Sequence, residues 1–226
     1  MKKFFLVAML AVFTSSAFAQ LMTGKSAAFA KEESRNWNYI YVQYNPGVFS
    51  PKEGSSKSFN ALSFGWNIDF ALSQSIPLYL ETGIGMQWSF YSEDETYYLT
   101  TALSTKRETT FNMLSAKIPV GVGYKFDIPN APISIVPNAG LDFRINALAE
   151  SEIKVGGNST KYDMFSSNDM GGSDYTWNRF QVGGHVGVNA IFWKKLLVGF
   201  SYQMDFSEIA KDSHVYQGNL TVGYCF

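Results

Sequence analysis

The sequence predicts an all-β protein, a transmembrane antiparallel up-and-down β-barrel of about eight strands. Three observations carry that prediction. Apolar and polar residues alternate with period two in repeated runs, longer than the ~5–6 residues of an average soluble strand and as long as the ~9–11 that a tilted membrane strand needs. The connections between runs alternate between short and long. Aromatic residues make up 16% of the chain, with 19 Phe, 13 Tyr and 5 Trp, yet mean hydropathy is only −0.07. Strands that are apolar on one face only have that composition.

The N-terminus reads as an address. Lys2 and Lys3 precede an unbroken apolar stretch from Phe4 to Phe13, and Ala17-Phe18-Ala19 has the small-x-small pattern of a cleavage site. The stretch is shorter than the ~20 residues of a spanning helix. We therefore expect a signal peptide over 1–19, a periplasmic N-terminal tail over 20–36 and a barrel domain over 37–226. Loss of 1–19 removes two lysines and no acid, so the net charge goes from −1 to −3. A nucleic-acid partner would require a basic face, and that balance excludes one. Cys225, the sole cysteine, cannot form an internal disulfide.

The strands follow from the alternation. Leu62, Phe64, Trp66, Ile68, Phe70 and Leu72 share one face, with Ser63, Gly65, Asn67, Asp69 and Ala71 on the other. Val198, Phe200, Tyr202, Met204 and Phe206 alternate with Gly199, Ser201, Gln203 and Asp205 in the same way. Counting such runs places strands near 38–50, 57–72, 77–91, 110–126, 131–150, 175–193, 196–207 and 214–226. The connections 73–76, 127–130 and 194–195 are tight. Residues 92–109 and 151–174 form long polar loops, and 51–56 and 208–213 are intermediate. With the N-terminus in the periplasm, every longer connection falls outside the cell, as in outer-membrane barrels. An even strand number lets the first and last strands pair, which leaves no edge unsatisfied in lipid. At this size side chains just fill the interior. Pro119 and Pro137 each remove a ladder donor from a central strand and are expected at bulges.

A soluble lipocalin-like barrel also alternates, but with apolar residues inside. Here the polar face is mostly Gly, Ser, Asn and Gln, suited to a small packed lumen. The apolar face carries Trp66, Trp88, Phe90, Tyr202, Tyr216 and Tyr224 towards strand ends, as an interfacial aromatic girdle does.

The ending Leu220-x-Val222-x-Tyr224-Cys225-Phe226 resembles the C-terminal recognition signal of outer-membrane β-barrels. Over 38–226 the chain resembles the small outer-membrane β-barrels described as PorT-like or porin-like, with OmpA- and OmpX-type barrels as architectural relatives. The resemblance implies location in the outer membrane of a Gram-negative cell and insertion by the barrel-assembly machinery. PorT-like relatives include secretion-system components, but no residue here singles out that role.

If Leu62, Ile118 and Val198 face lipid, the lumen receives Asp69, Glu81, Lys117, Asp142, Arg144, Arg179, His185, Gln203 and Asp205. The expected arrangement is a polar plug in which Lys117 and Arg144 neutralise Asp142, because unpaired buried charges cost several kcal/mol each. His185 is expected near Gln203, and Asp69 opposite Glu81 at the watery periplasmic mouth. Packing is the expected role of these charges, with proton relay or ion conduction as the alternative.

No enzyme, cofactor or metal site is expected. The chain has no metal-ligand cluster, phosphate loop or Gly-x-Ser-x-Gly elbow. Ser213 and His214 are adjacent, so on a strand they point to opposite faces. The expected function is a structural or protein-interaction role within an envelope or secretion complex, reached through loops 92–109 and 151–174, with outer-membrane lipid around the barrel. A small porin-like diffusion channel is the alternative, and a lipid-modifying enzyme around His214 the third.

Overall fold

The computed structural model describes residues 36–52, 54–73, 76–100, 103–172 and 176–226. The expected signal peptide and all of the tail but Asn36 lie outside the described residues. Among the described residues there are eleven strands: β1 (Trp37–Tyr44), β2 (Gly47–Pro51), β3 (Lys57–Ala71), β4 (Leu78–Thr100), β5 (Leu103–Tyr124), β6 (Phe126–Asp127), β7 (Ile133–Val155), β8 (Asn158–Asp163), β9 (Phe180–Phe192), β10 (Leu196–Asp205) and β11 (Ser213–Cys225). A short helix, α1 (Ser167–Met170), lies between β8 and β9.

Antiparallel pairing runs from β3 through β4, β5, β7, β9 and β10 to β11, and β1 closes the ring by pairing with both β11 and β3. β2 continues β1 beyond Asn45 and Pro46 and pairs with the same two neighbours. Counted this way the barrel has eight staves, as the alternation predicts. Closure leaves no backbone edge facing lipid.

Side-chain parity separates the two faces. Phe64, Val186, Phe200 and Val222 are more than half exposed on the outside, while Ser63, Asn67, Gln87 and Asn219 are buried inside. An inverted arrangement of this kind is stable where lipid, not water, surrounds the barrel.

Neither Pro119 nor Pro137 sits at a bulge, contrary to the expectation. Pairs of β4 with β5 are missing between Thr82↔Val120 and Gly85↔Lys117, with no change of register. The donor that Pro119 lacks thus falls into a gap in one ladder, while Pro119 stays paired with Asp142 on β7. Pro137 faces the short break between β5 and β6, where pairing with β7 stops at Gly123↔Asn138 and resumes at Phe126↔Ile135. The β5–β7 ladder is shifted instead between Leu114↔Leu148 and Ser115↔Asn146, which leaves Ala147 as the extra residue.

The two long polar connections are largely strand, a second correction. β4 has 23 residues, β5 22 and β7 23, about twice what crossing requires. Residues 92–109 are mostly the far half of the β4–β5 hairpin. β7 turns at Gly156 and Gly157, whose φ of 56° and 89° suit a two-residue hairpin turn, into β8. Outside the bilayer both faces of a sheet are wet, so the alternation that marks the membrane strands fades there. Together β4, β5, β7 and β8 project beyond the belt as one sheet.

The lumen is layered. At the outer end Phe49, Phe59, Phe111, Met113, Ile209 and Val215 form an apolar cluster, roofed by Met164, Phe165 and Trp177 from the segment around α1. Trp177 lies 5.2 Å from Phe49 and 5.1 Å from Phe111 between ring centroids. At the periplasmic end Tyr39, Tyr41, Val136, Ile191, Leu197 and Cys225 form a second cluster. Polar residues fill the space between.

Candidate functional site

The polar layer is built from inward-facing positions all round the ring. Lys117 of β5 reaches two acceptors: its Nζ lies 3.5 Å from Asp142 Oδ1 on β7 and donates to Gln203 Oε1 on β10 at 2.7 Å. His185 Nδ1 sits 2.8 Å from Asp142 Oδ2, and His185 pairs with Gln203 in the β9–β10 register. Asp142 is therefore held between an ammonium and an imidazole.

Arg144 does not join them. Its guanidinium contacts Asp205 Oδ2 on β10 and donates through Nη2 to Gln181 Oε1 at 2.9 Å. The register explains this departure from the expected Arg144–Asp142 pairing. Arg144 stands opposite Gln181, and Gly183 stands opposite both Asp142 and Asp205. Asp205 Oδ1 lies 2.7 Å from where a Cβ on Gly183 would be, so the missing side chain leaves room for the carboxylate to reach across β9. Arg144 and Asp205 are both almost fully buried. A buried ion pair of this kind costs desolvation on both sides and persists only with supporting hydrogen bonds, which Gln181 and Gln203 supply.

Asp69 and Glu81 stand opposite one another across β3 and β4, as expected. They are buried rather than at a watery mouth, because the cluster around Tyr39, Leu197 and Cys225 closes that end. Glu81 Oε1 accepts from Tyr39 Oη at 3.1 Å and from Asn67 Nδ2 at 2.8 Å. Neither carboxylate oxygen of Asp69 has a hydrogen-bond partner among the described residues.

Arg179 lies outside the lumen. It is exposed, its Nη1 donates to the Ala147 carbonyl at 3.0 Å, and its guanidinium stands 4.0 Å from the centre of the Phe165 ring. β9 begins at Phe180, so parity counted back from Gln181 no longer applies to the residue before it.

The residues missed by sequence reasoning are neutral. Ser115 donates to Asn146, which with Arg144 converges on Gln181, and Ser63, Asn45 and Asn219 form a second chain of amides. Their inward parity was readable, but a search for charges passes over amides. Near the centre a polar cavity of about 40 Å³ is lined by residues including Tyr41, Glu81, Lys117, Asp142 and His185. That volume holds a few waters at most. Around it, Gln87, Gln181, Gln203 and Gln217 are fully buried. The arrangement fills and braces a barrel.

A wall of lipid-facing apolar side chains closed round a packed polar lumen limits what the chain can be. The family described as outer membrane protein beta-barrel domain matches residues 5–226. The chain belongs to that family. This outer-membrane β-barrel resides in the outer membrane. No curated protein matches its sequence. Among solved structures it is similar to the attachment invasion locus protein Ail of Yersinia pestis, with 11% identity over 84% of this chain and 99% of that one and a TM-score of 0.43. It is similar also to Neisserial surface protein A, at 14% identity over 83% and 95% with a TM-score of 0.39. A third is the outer membrane enzyme PagL, at 11% identity over 81% and 97% with a TM-score of 0.43.

On this barrel Leu220, Val222, Tyr224 and Phe226 all face outward. The Phe226 N–H donates to the Asn38 carbonyl at 3.0 Å, which fastens the chain end across the seam. Ser213 Oγ donates to the Lys211 carbonyl, and His214 Nδ1 lies 3.3 Å from the Asp205 carbonyl. At the base of the projecting sheet Lys57 of β3 bonds to Glu93, and on the sheet Lys106 bonds to Asp94; these hydrogen bonds hold both ammonium groups above their ordinary range. The Ser159 hydroxyl holds Glu152 below its own.

Proposed function

We propose that this barrel is a non-conducting interaction protein that presents the β4–β5–β7–β8 sheet to a protein partner at the outer surface. One observation carries the reading: the lumen is filled and capped at both ends, while these strands continue well beyond the apolar belt. The β3–β4 ladder stops at Asn60↔Phe90, so among the described residues the stretch from Tyr91 to Thr100 of β4 has ladder partners on one side only. Unpaired strand edges are templates for strand addition. Glu93 and Asp94 on this edge are already paired with Lys57 and Lys106, so the edge offers an extended partner its backbone donors and acceptors rather than a net charge. The reading includes a place in an envelope or secretion complex and assigns no catalytic role to Ser213 or His214.

The test is affinity capture of the tagged barrel from gently solubilised outer membranes, beside a variant in which a short turn replaces residues 92–109. A partner recovered near one-to-one with the intact chain and lost with the variant supports the reading. Equal recovery with both, or no partner with either, removes it. A steady ion current from the purified barrel in planar bilayers would replace it with the diffusion-channel reading.

A further inference from the structure

The outer apolar belt is uneven at the seam. β1 turns Ile40 and Val42 outward, and the register places Ile40 between Trp66 of β3 and Tyr224 of β11, and Val42 between Phe64 and Val222. Ile40 and Val42 are shorter than Trp66, Tyr224 and Phe64 beside them, so β1 together with Val222 forms the floor of a groove with higher walls. The groove, open on its outer side, has a volume of about 780 Å³, and its far wall includes Leu196 of β10.

Leu196 also marks the groove's periplasmic end. It pairs with Tyr224 and follows directly on Trp193, Lys194 and Lys195, the tight turn between β9 and β10. All three turn residues are exposed. The Cys225 N–H donates to the Lys195 carbonyl at 2.7 Å, which ties the turn to the end of β11 beside the groove. Trp193 and Lys194 hold φ of 52° and 61°, uncommon for side chains of that size. Among the described residues, neither Lys194 nor Lys195 has an ion-pair partner.

Apolar walls that end at two unpaired cations match an amphiphile with an anionic head. We propose that this groove seats one anionic phospholipid of the periplasmic leaflet, with an acyl chain along β1 and the phosphate at Lys194 and Lys195. The side of the membrane follows from the turn lengths, since the short turns of such barrels are periplasmic. Trp193 lies at the depth of the headgroups, where amphipathic rings settle. A basic residue at a membrane surface strengthens binding of an anionic lipid about fivefold, so the two lysines together contribute about 25-fold.

The experiment is native mass spectrometry of the whole purified barrel titrated with phosphatidylglycerol and, in parallel, with zwitterionic phosphatidylethanolamine. The expected result is a plateau at one phosphatidylglycerol per barrel, with weaker retention of phosphatidylethanolamine. Lys194→Glu with Lys195→Glu should weaken phosphatidylglycerol retention at least 25-fold and leave heat-modifiable gel migration unchanged, since both side chains are exposed. Val42→Trp should fill the floor and abolish the plateau, whereas Val186→Trp, on β9 away from the groove, should keep it. Lipid binding without a one-to-one plateau would mean an ordinary annular coat and overturn the proposal. So would undiminished retention by the double-lysine variant, or a dimer whose formation depends on Val42.

Discussion

Lys117 Nζ and Asp142 Oδ1 stand 3.5 Å apart across neighbouring strands in the middle of the barrel, on side chains that water scarcely reaches. With His185 on the opposite carboxylate oxygen, the three groups form a compact knot. Lys117→Met should lower barrel stability by about 3–5 kcal/mol, because it strands a buried carboxylate. Adding Asp142→Asn should restore much of that loss. Denaturant unfolding of the refolded barrel measures the cycle, and strictly additive losses would exclude coupling between the two residues.

Arg179 offers a contrast within the same residue class. It stacks on Phe165 in the open, where a cation–π contact is worth about 0.5–1 kcal/mol. Arg179→Ala should cost no more than that, and Arg144→Ala several times as much. Comparable losses in parallel denaturant curves would contradict the placement of Arg179 outside the lumen.

Two glycines should behave in opposite ways. A Cβ on Gly83 would come within 2.4 Å of the Trp66 carbonyl oxygen, which belongs to backbone and cannot swing aside. Gly83→Ala should therefore destabilise by about 3 kcal/mol, the upper range for overpacking. The nearest atom to a Cβ on Gly218 is Phe200 Cε2 at 3.9 Å, so Gly218→Ala should stay within about 0.5 kcal/mol. Thermal melts of the two variants decide the matter.

The β7–β8 hairpin should respond to acid. Glu152 accepts from Ser159 Oγ at 2.5 Å, which stabilises the ionised form and lowers its pKa. The resulting support is complete above the ordinary glutamate value of about 4.3 and disappears as pH falls through the lowered one. Amide hydrogen exchange over 150–163 should be flat from neutral pH to about 5, after correction for intrinsic rates, and quicken below about 4. In Glu152→Gln that acid step should vanish.

Inside the membrane the fold was legible because lipid imposes a strict alternation on every strand, and the pairing of Asp69 with Glu81 and of His185 with Gln203 follows from strand parity and turn length. Beyond the bilayer that constraint lapses. Ser92–Thr96 pairs in unbroken register with Lys106–Thr110, yet its residues alternate between two wet faces and resemble a loop. Side-chain reach was the other blind spot. Which acid Arg144 meets depends on Gly183, and an alternation pattern does not say that a stem can cross a neighbouring strand. The bulge at Ala147 was hidden for a similar reason: an extra small residue on the outer face scarcely disturbs the pattern.

The layered lumen also bears on how this chain comes to be folded. Dropped into water, it would be a globule turned inside out, with Arg144 and Asp205 at its centre and Phe64 and Val222 as its skin. Collapse in an aqueous compartment would favour the reverse, gathering those apolar side chains inward and pushing the charges out. The native state thus becomes the favoured one only on contact with lipid, and until that moment the chain must be kept from the compact shapes that water prefers. In this protein the bilayer acts as a reagent of folding as much as a place of residence.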